Sequence, residues 1–251
     1  MVRICLTGDL CVWSGARMVT ADRLPGRQGR LAFAYLVSER DRTVTRAELI
    51  DAVWPDVIPA ASEVALSALV SKLRSLFAVV GLSRDALKAS AGGYRVTLPG
   101  DIWIDTEAAV AAVHEAEGAM RRAAPRDAYG HAVVAAAILR RPFLAGMDGE
   151  WIERRRDALR RCYLRALDVL AEIHSWNGEA SLAVRVAEEA IAIEPLREVG
   201  YRLLMRIHHQ GGDRAQALRV YERCRQLLAS ELSERPSRET QELRALIAES
   251  V

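Results

Sequence analysis

Apolar and polar residues alternate at the start of the chain. Val2, Ile4 and Leu6 point one way and Arg3, Cys5 and Thr7 the other, the period of a half-buried strand. Gly8-Asp9 turns the chain into residues 10–13 and Ser14-Gly15 turns it again toward 18–20, which predicts a short antiparallel meander. The period then becomes helical. Leu31, Ala34, Tyr35 and Ser38 share one side of a helix predicted over 29–39. Thr45-Arg46-Ala47-Glu48 is a capping box, so a second helix opens at Arg46 and runs through Leu49, Ile50, Val53 and Trp54 until Pro55 stops it. A third helix is predicted over 62–80, where Leu66, Leu69, Val70, Leu73, Phe77 and Val80 form a core stripe. Residues 87–91, the Gly92-Gly93 pair and 94–98 read as a hairpin. Strands, three helices and a closing hairpin make a winged helix with a leading sheet, assigned to residues 1–100.

Beyond residue 100 the spacing is helical throughout. Asp105, in the join Asp-Ile-Trp-Ile-Asp, is placed as an N-cap, and helices are predicted over 106–123, 126–141, 149–175, 179–193, 197–210, 214–232 and 238–249. Pro125, Pro142, Pro195 and Pro236 fall at their boundaries, where proline belongs. Gly178-Glu179-x-x-x-Ala183 returns 34 residues later as Gly212-Asp213-x-x-x-Ala217, and Val186 falls on Val220, Ala187 on Tyr221 and Glu188 on Glu222. That is the period of a tetratricopeptide helix pair, an architecture that offers surface to partners and carries no built-in chemistry. Ala217, Leu218, Tyr221, Cys224, Leu228 and Leu232 are expected to be its buried stripe, and Trp151 and Trp176 to pack between repeats. The arginine run from Arg154 to Arg165 reads as a solvated, ion-paired face, with contact to a DNA backbone, an acidic polymerase segment or a neighbouring protomer as the alternative. The fold class is therefore mainly α with a small β component: a winged helix over 1–100 and an all-α, tetratricopeptide-like repeat domain over 101–251.

Composition narrows the function classes. The chain has 251 residues, 51% hydrophobic and 27% charged, and no apolar run approaches the length of a membrane span, so a cytoplasmic protein without membrane contact is expected. Cys5, Cys11, Cys162 and Cys224 form no Cys-x-x-Cys pair, and adjacent His208 and His209 diverge on a helix, so neither metal nor cofactor is expected. There is no GxxxxGK[ST], HExxH or GxSxG motif, which argues against an enzyme. Net charge is +2 but uneven: residues 1–100 hold 13 basic against 9 acidic residues, the remainder 22 against 24. That excess permits nucleic-acid binding.

The third helix carries the sharper signal. Opposite its core stripe stand Val64, Ser67, Ala68, Ser71 and Ser75, flanked by Lys72 and Arg74. Small outward side chains let a helix enter a major groove, where hydroxyls meet base edges and methyls meet thymine. Lys72 and Arg74 would anchor phosphates, which gives affinity and register but no sequence choice. Lys88 on the hairpin and Tyr94-Arg95 beyond its turn offer a wing, Arg95 for the minor groove or a phosphate. Thr45 and Arg46, at the start of the second helix, complete the DNA-facing set.

These segments resemble a known family. Residues 43–54 (TVTRAELIDAVW), 69–76 (LVSKLRSL) and Gly93-Tyr94-Arg95-Val96 are similar to the OmpR-like winged helix of the SARP group of bacterial transcriptional activators. Residues 194–205 (EPLREVGYRLLM), 211–221 (GGDRAQALRVY) and 228–236 (LASELSERP) resemble that group's bacterial transcriptional activator domain, or BTAD. The resemblance implies binding to direct repeats of double-stranded DNA upstream of promoters, self-association there, and recruitment of the RNA polymerase holoenzyme. It places Ser67, Ser71, Lys72 and Arg74 on the recognition helix and makes the loop with Asp56, Val57 and Ile58 the polymerase contact. No receiver domain ahead of the first strand and no forkhead-associated or ATPase module behind the last helix is expected. The chain departs from the pattern at Val64 and Ser67, where many relatives carry Asn and Gln able to read adenine. That departure keeps alternatives open: a protein-interaction adaptor or a small-molecule sensor built on the helical domain, with a weakened winged helix.

Overall fold

The computed structural model describes residues 2–90 and 92–249. Ala91, predicted to end the first hairpin strand, lies outside the described residues. The chain divides into two compact units, one formed by residues 1–109 and 138–159, the other by 110–137 and 160–251.

In the first unit the alternating start becomes β1 (Val2–Cys5), followed by β2 (Cys11–Ser14) and β3 (Arg17–Thr20), each antiparallel to the last. Val2, Ile4, Leu6, Val12 and Val19 are buried. Three helices follow, α1 (Gly26–Ser38), α2 (Arg46–Val53) and α3 (Ser62–Val79). β4 (Val44–Thr45), β5 (Leu87–Ser90) and β6 (Gly93–Val96) make a second sheet in the order β4-β6-β5. All six apolar positions of the predicted α3 stripe are buried, Leu69 the most exposed at 8%. Phe33 of α1 meets Phe77 of α3 edge to face, 6.0 Å between centroids.

Two features of this unit have no local sequence signal. Trp103–Ile104 forms β7, parallel to β1, so the first sheet runs β3-β2-β1-β7. The next residue, Asp105, is fully buried, and its carboxylate accepts the Leu6 and Thr7 backbone N–H groups at 2.9 Å each, the Thr7 hydroxyl at 2.8 Å and the Thr106 N–H at 2.8 Å. Expected as an N-cap, Asp105 is instead the first residue of the helix over 105–121, and its carboxylate closes the open end of β1. Trp151 packs on Tyr35 and Phe143, centroids 5.1 and 6.0 Å away, and its indole N–H donates to the Ala52 carbonyl at 3.1 Å. It therefore belongs to the winged-helix core and not between repeats, because its ring fills the space beside α1 and α2. The Arg156 guanidinium donates to the carbonyls of Phe143, Leu144 and Met147 at 2.8–3.0 Å and to Glu153 at 2.5 Å, holding a loop that also bridges to Thr7 through Phe143.

The helices α4 (Asp105–Arg121), α5 (Pro125–Leu139) and α6 (Glu150–Trp176) contribute residues to both units, and α7 (Ala180–Ile193), α8 (Glu198–Gln210), α9 (Arg214–Leu232) and α10 (Arg238–Glu249) complete the second. The repeat is real in its backbone. Glu179 N–H reaches the His174 carbonyl at 2.9 Å, and 34 residues on Asp213 N–H reaches that of His208 at 2.9 Å. Gly178 and Gly212 both hold positive φ, +74° and +78°, which favours glycine at each turn. The stripe of α9 is narrower than expected: Ala217, Val220, Cys224 and Leu228 are buried, Leu218 and Tyr221 half-buried, and Leu232 is 52% exposed at the helix end. Arg165 and Glu117 form a bidentate pair at 2.5 and 2.6 Å, and Arg197 pairs with Asp168. Burial drives the Asp168 carboxyl above its ordinary pKa, opposed by Arg197. Trp176 is 56% exposed.

Candidate nucleic-acid interface

The outward face of α3 is as the sequence predicts. Val64, Ser67, Ala68, Ser71, Lys72 and Ser75 are all exposed, Val64 at 72%. The Ser67 hydroxyl donates to the Glu63 carbonyl at 2.9 Å and that of Ser75 to the Ser71 carbonyl at 3.3 Å. Hydroxyls turned back on their own helix exchange these weak local bonds for another acceptor at little cost.

Arg46 joins α2 to this face. Its Nε donates to the Glu63 carboxylate at 2.6 Å and its Nη2 to Ser67 Oγ at 3.0 Å, while the guanidinium lies over the Tyr94 ring, 5.2 Å from the centroid. The Glu63 carboxylate holds the Arg46 guanidinium above its ordinary pKa. Tyr94 is only 4% exposed, so it supports Arg46 from below instead of presenting its own edge. Glu63 escaped sequence reasoning. It sits 17 residues from Arg46 on a different helix, and the one available signal was its place four residues before Ser67 on the same face.

Thr45 caps α2 as the motif predicts. Its hydroxyl oxygen accepts the Glu48 N–H at 3.2 Å, and its own N–H donates to the Glu48 carboxylate at 2.8 Å. Those bonds, with Arg42 at 2.9 Å, hold the Glu48 carboxyl below its ordinary pKa.

On the hairpin, Lys88 stands directly opposite Arg95, both exposed, while Leu87 and Val96 pair on the buried face. Like charges in register weaken strand pairing slightly, and an anion between them would relieve it. Gly93 makes the junction possible: a Cβ there would sit 2.0 Å from the Val44 carbonyl oxygen, across the β4–β6 pair. Arg74 is half-buried and its Nε donates to the Leu87 carbonyl at 2.8 Å, tying α3 to the hairpin. The fold thus brings Arg46, Ser67 and Tyr94 into one cluster and places Lys88 and Arg95 side by side. Asp56, Val57 and Ile58 are exposed beyond the other end of α2, a helix about 12 Å long. With Trp54, Asp51 and Trp151, Asp56 and Ile58 border a groove of about 910 Å³.

A winged helix carrying an extra N-terminal sheet, followed by a tetratricopeptide-like helical array, is the class this architecture defines. The model of the bacterial transcriptional activator domain matches residues 104–248, and the chain belongs to that family, among regulators of the SARP type. The regulatory protein AfsR of Streptomyces coelicolor is 31% identical over 230 residues, 89% of this chain and 22% of the relative. The transcriptional regulatory protein EmbR of Mycobacterium tuberculosis is 29% identical over 227 residues, 87% of this chain and 58% of the relative. The solved structure of Mycobacterium tuberculosis EmbR in complex with a low affinity phosphopeptide superposes with a TM-score of 0.89 at 25% identity, over 98% of this chain and 65% of that one. The chain spans less than a quarter of AfsR and little more than half of EmbR.

Proposed function

We propose that the chain is a sequence-specific, DNA-binding transcriptional activator. The observation that carries this reading is the exposed face of α3, small side chains from Val64 to Ser75, bordered by Arg46 and Lys72 and accompanied by the Lys88–Arg95 pair on the wing. In the proposed complex α3 lies in the major groove, Val64 and Ala68 meet thymine methyls and Ser67 and Ser71 meet base edges. Lys72, Lys88 and Arg95 neutralise phosphates, with Arg74 and Tyr94 holding the frame and Thr45 the start of α2. The winged helix within residues 1–100 supplies DNA recognition, and residues 101–251 mediate association between protomers.

Direct repeats upstream of promoters would place protomers side by side, and the exposed Asp56-Val57-Ile58 loop would then face RNA polymerase. The mechanism is added binding energy between DNA, activator and polymerase, with no covalent step, in the cytoplasm. Relatives named as regulators support this reading, and no described helix is long and apolar enough to cross a membrane. Selection of bound fragments from a random duplex pool, followed by anisotropy titrations on the enriched sequence, tests the proposal. A specific site bound at least a hundredfold tighter than random duplex is expected, and equal binding to both overturns it.

The alternative, an interaction adaptor, is favoured by one observation. Tyr129, Val133 and Val134 are exposed together on α5, at 44%, 39% and 50%. Loss of promoter activation with DNA affinity intact, on replacing these residues, would assign them to partner binding.

A further inference from the structure

Cys5 and Cys11 face one another across the β1–β2 ladder, each the other's Cα partner in the antiparallel register. Directly opposed residues in such a ladder have Cα atoms about 4.5–5.5 Å apart, inside the span a disulfide accepts. Both are half-buried free thiols. Their side chains interact, and the Trp13 indole N–H donates to Cys11 Sγ at 3.2 Å. The pair stands on an anchored frame, since the Asp105 carboxylate clasps the Leu6 and Thr7 amides just beyond Cys5. Cys162 and Cys224 belong to the other unit and have no such neighbour in a strand.

We propose that Cys5 and Cys11 form a redox-reactive pair that closes to a disulfide on exposure to a hydroperoxide and reopens by exchange with a dithiol. In the first step the Cys11 thiolate attacks the peroxide, the O–O bond breaks, and Cys11 becomes a sulfenic acid as an alcohol or water leaves. In the second, the Cys5 sulfur attacks that of Cys11, the S–O bond breaks, and water carries off the oxygen with the Cys5 proton. Two thiols are oxidised and one hydroperoxide is reduced. Cys11 goes first because burial and the neighbouring Cys11 push the Cys5 thiol up to about 12, which keeps it protonated. Cys5, the partner of Cys11 in the ladder, is then the resolving thiol. A strand-to-strand bond across a six-residue separation adds rigidity without strain on the core, and it converts the Cys11 thiol to which Trp13 now donates. In a reducing compartment a bond of this kind is a sensor and not a staple.

The test uses the full chain. No Arg or Lys lies between Arg3 and Arg17, so one tryptic peptide, residues 4–17, holds both cysteines. After dilute hydrogen peroxide and alkylation, this peptide is expected to lack two hydrogens and carry no alkyl group, and dithiothreitol restores both thiols. The oxidised protein should melt about 5 °C higher. The Cys162→Ser/Cys224→Ser double variant keeps the response, while Cys5→Ser abolishes the bond and leaves Cys11 trapped by dimedone as a sulfenic acid. Two alkylatable thiols in peptide 4–17 after complete oxidation of a control thiol, or overoxidation of Cys11 in the wild-type chain without a disulfide, would overturn the proposal.

Discussion

The charge pattern around α3 makes a prediction with two opposite signs. Arg46 is half-buried and neutralised by Glu63 at 2.6 Å, and Arg74 is half-buried with its Nε held by the Leu87 carbonyl. Lys72, Lys88 and Arg95 are the exposed cations of the proposed interface, Arg95 donating to the Asp41 backbone carbonyl at 3.5 Å. Three phosphate contacts correspond to a slope of about −2.7 in log K against log salt, so affinity per protomer falls about 40-fold between 50 and 200 mM. Lys72→Ala removes one contact: the slope drops to about −1.8 and affinity at 0.1 M falls about eightfold, on every sequence alike. Glu63→Gln should do the reverse. It releases the Arg46 charge, steepens the slope to about −3.6 and tightens binding at 0.1 M by about the same factor. Fluorescence anisotropy with a labelled duplex, from 50 to 300 mM KCl, measures all three slopes in one experiment. Circular dichroism melts confirm that each variant is folded. If Lys72→Ala leaves the slope unchanged, or Glu63→Gln flattens it, the assignment of this face to a duplex fails.

Three further outcomes are expected. Gly93→Ala drives a Cβ into the Val44 carbonyl oxygen and should cost about 3 kcal/mol or unfold the wing, whereas Gly100→Ala, with open space around it, should leave the melting temperature unchanged; thermal melts separate the two. Thr45→Ala removes the cap of α2 at a cost of about 1 kcal/mol. The same box sets a pH dependence: because the folded Glu48 pKa is depressed, its contribution is complete above the unfolded carboxylate value and fades as pH falls through the folded one, so melts of Glu48→Gln and wild type should converge in acid. Finally, on a bound operator, replacing single thymines by uracil should reveal a position where loss of the methyl weakens the wild type about fourfold, the worth of one buried methyl, yet leaves Val64→Ala indifferent; a uniform effect in both proteins would remove Val64 from the reading set.

What could be read in advance was whatever repeats locally. The 3.6-residue stripe of α3, the capping box at Thr45 and the glycines of the 34-residue repeat each express a constraint satisfied within a few neighbours, and each appears where its pattern lies. The contacts that escaped join distant residues. β7 is two residues long, too short for a period, and finds its partner about 100 positions away. Trp151 read as a repeat residue because its helix is one, yet its ring lies against Tyr35. Tyr94 and Arg95 looked alike as wing residues; strand alternation turned the first inward beneath Arg46 and left the second outside. On the candidate interface the exposed face of α3 was legible, while Glu63, which sets the charge of its neighbour, was not.

The buried Asp105 carboxylate bears on how the chain tolerates being cut. A fragment ending at residue 100 would forfeit both β7 and the acceptor of the Leu6 and Thr7 amides, leaving the outermost strand of the sheet frayed and prone to stick to its own kind. The loop through Phe143 and Leu144 is bonded to that same stretch and Trp151 fills the wall beside α1, so a fragment carried through residue 159 keeps contacts that one ending at residue 100 loses.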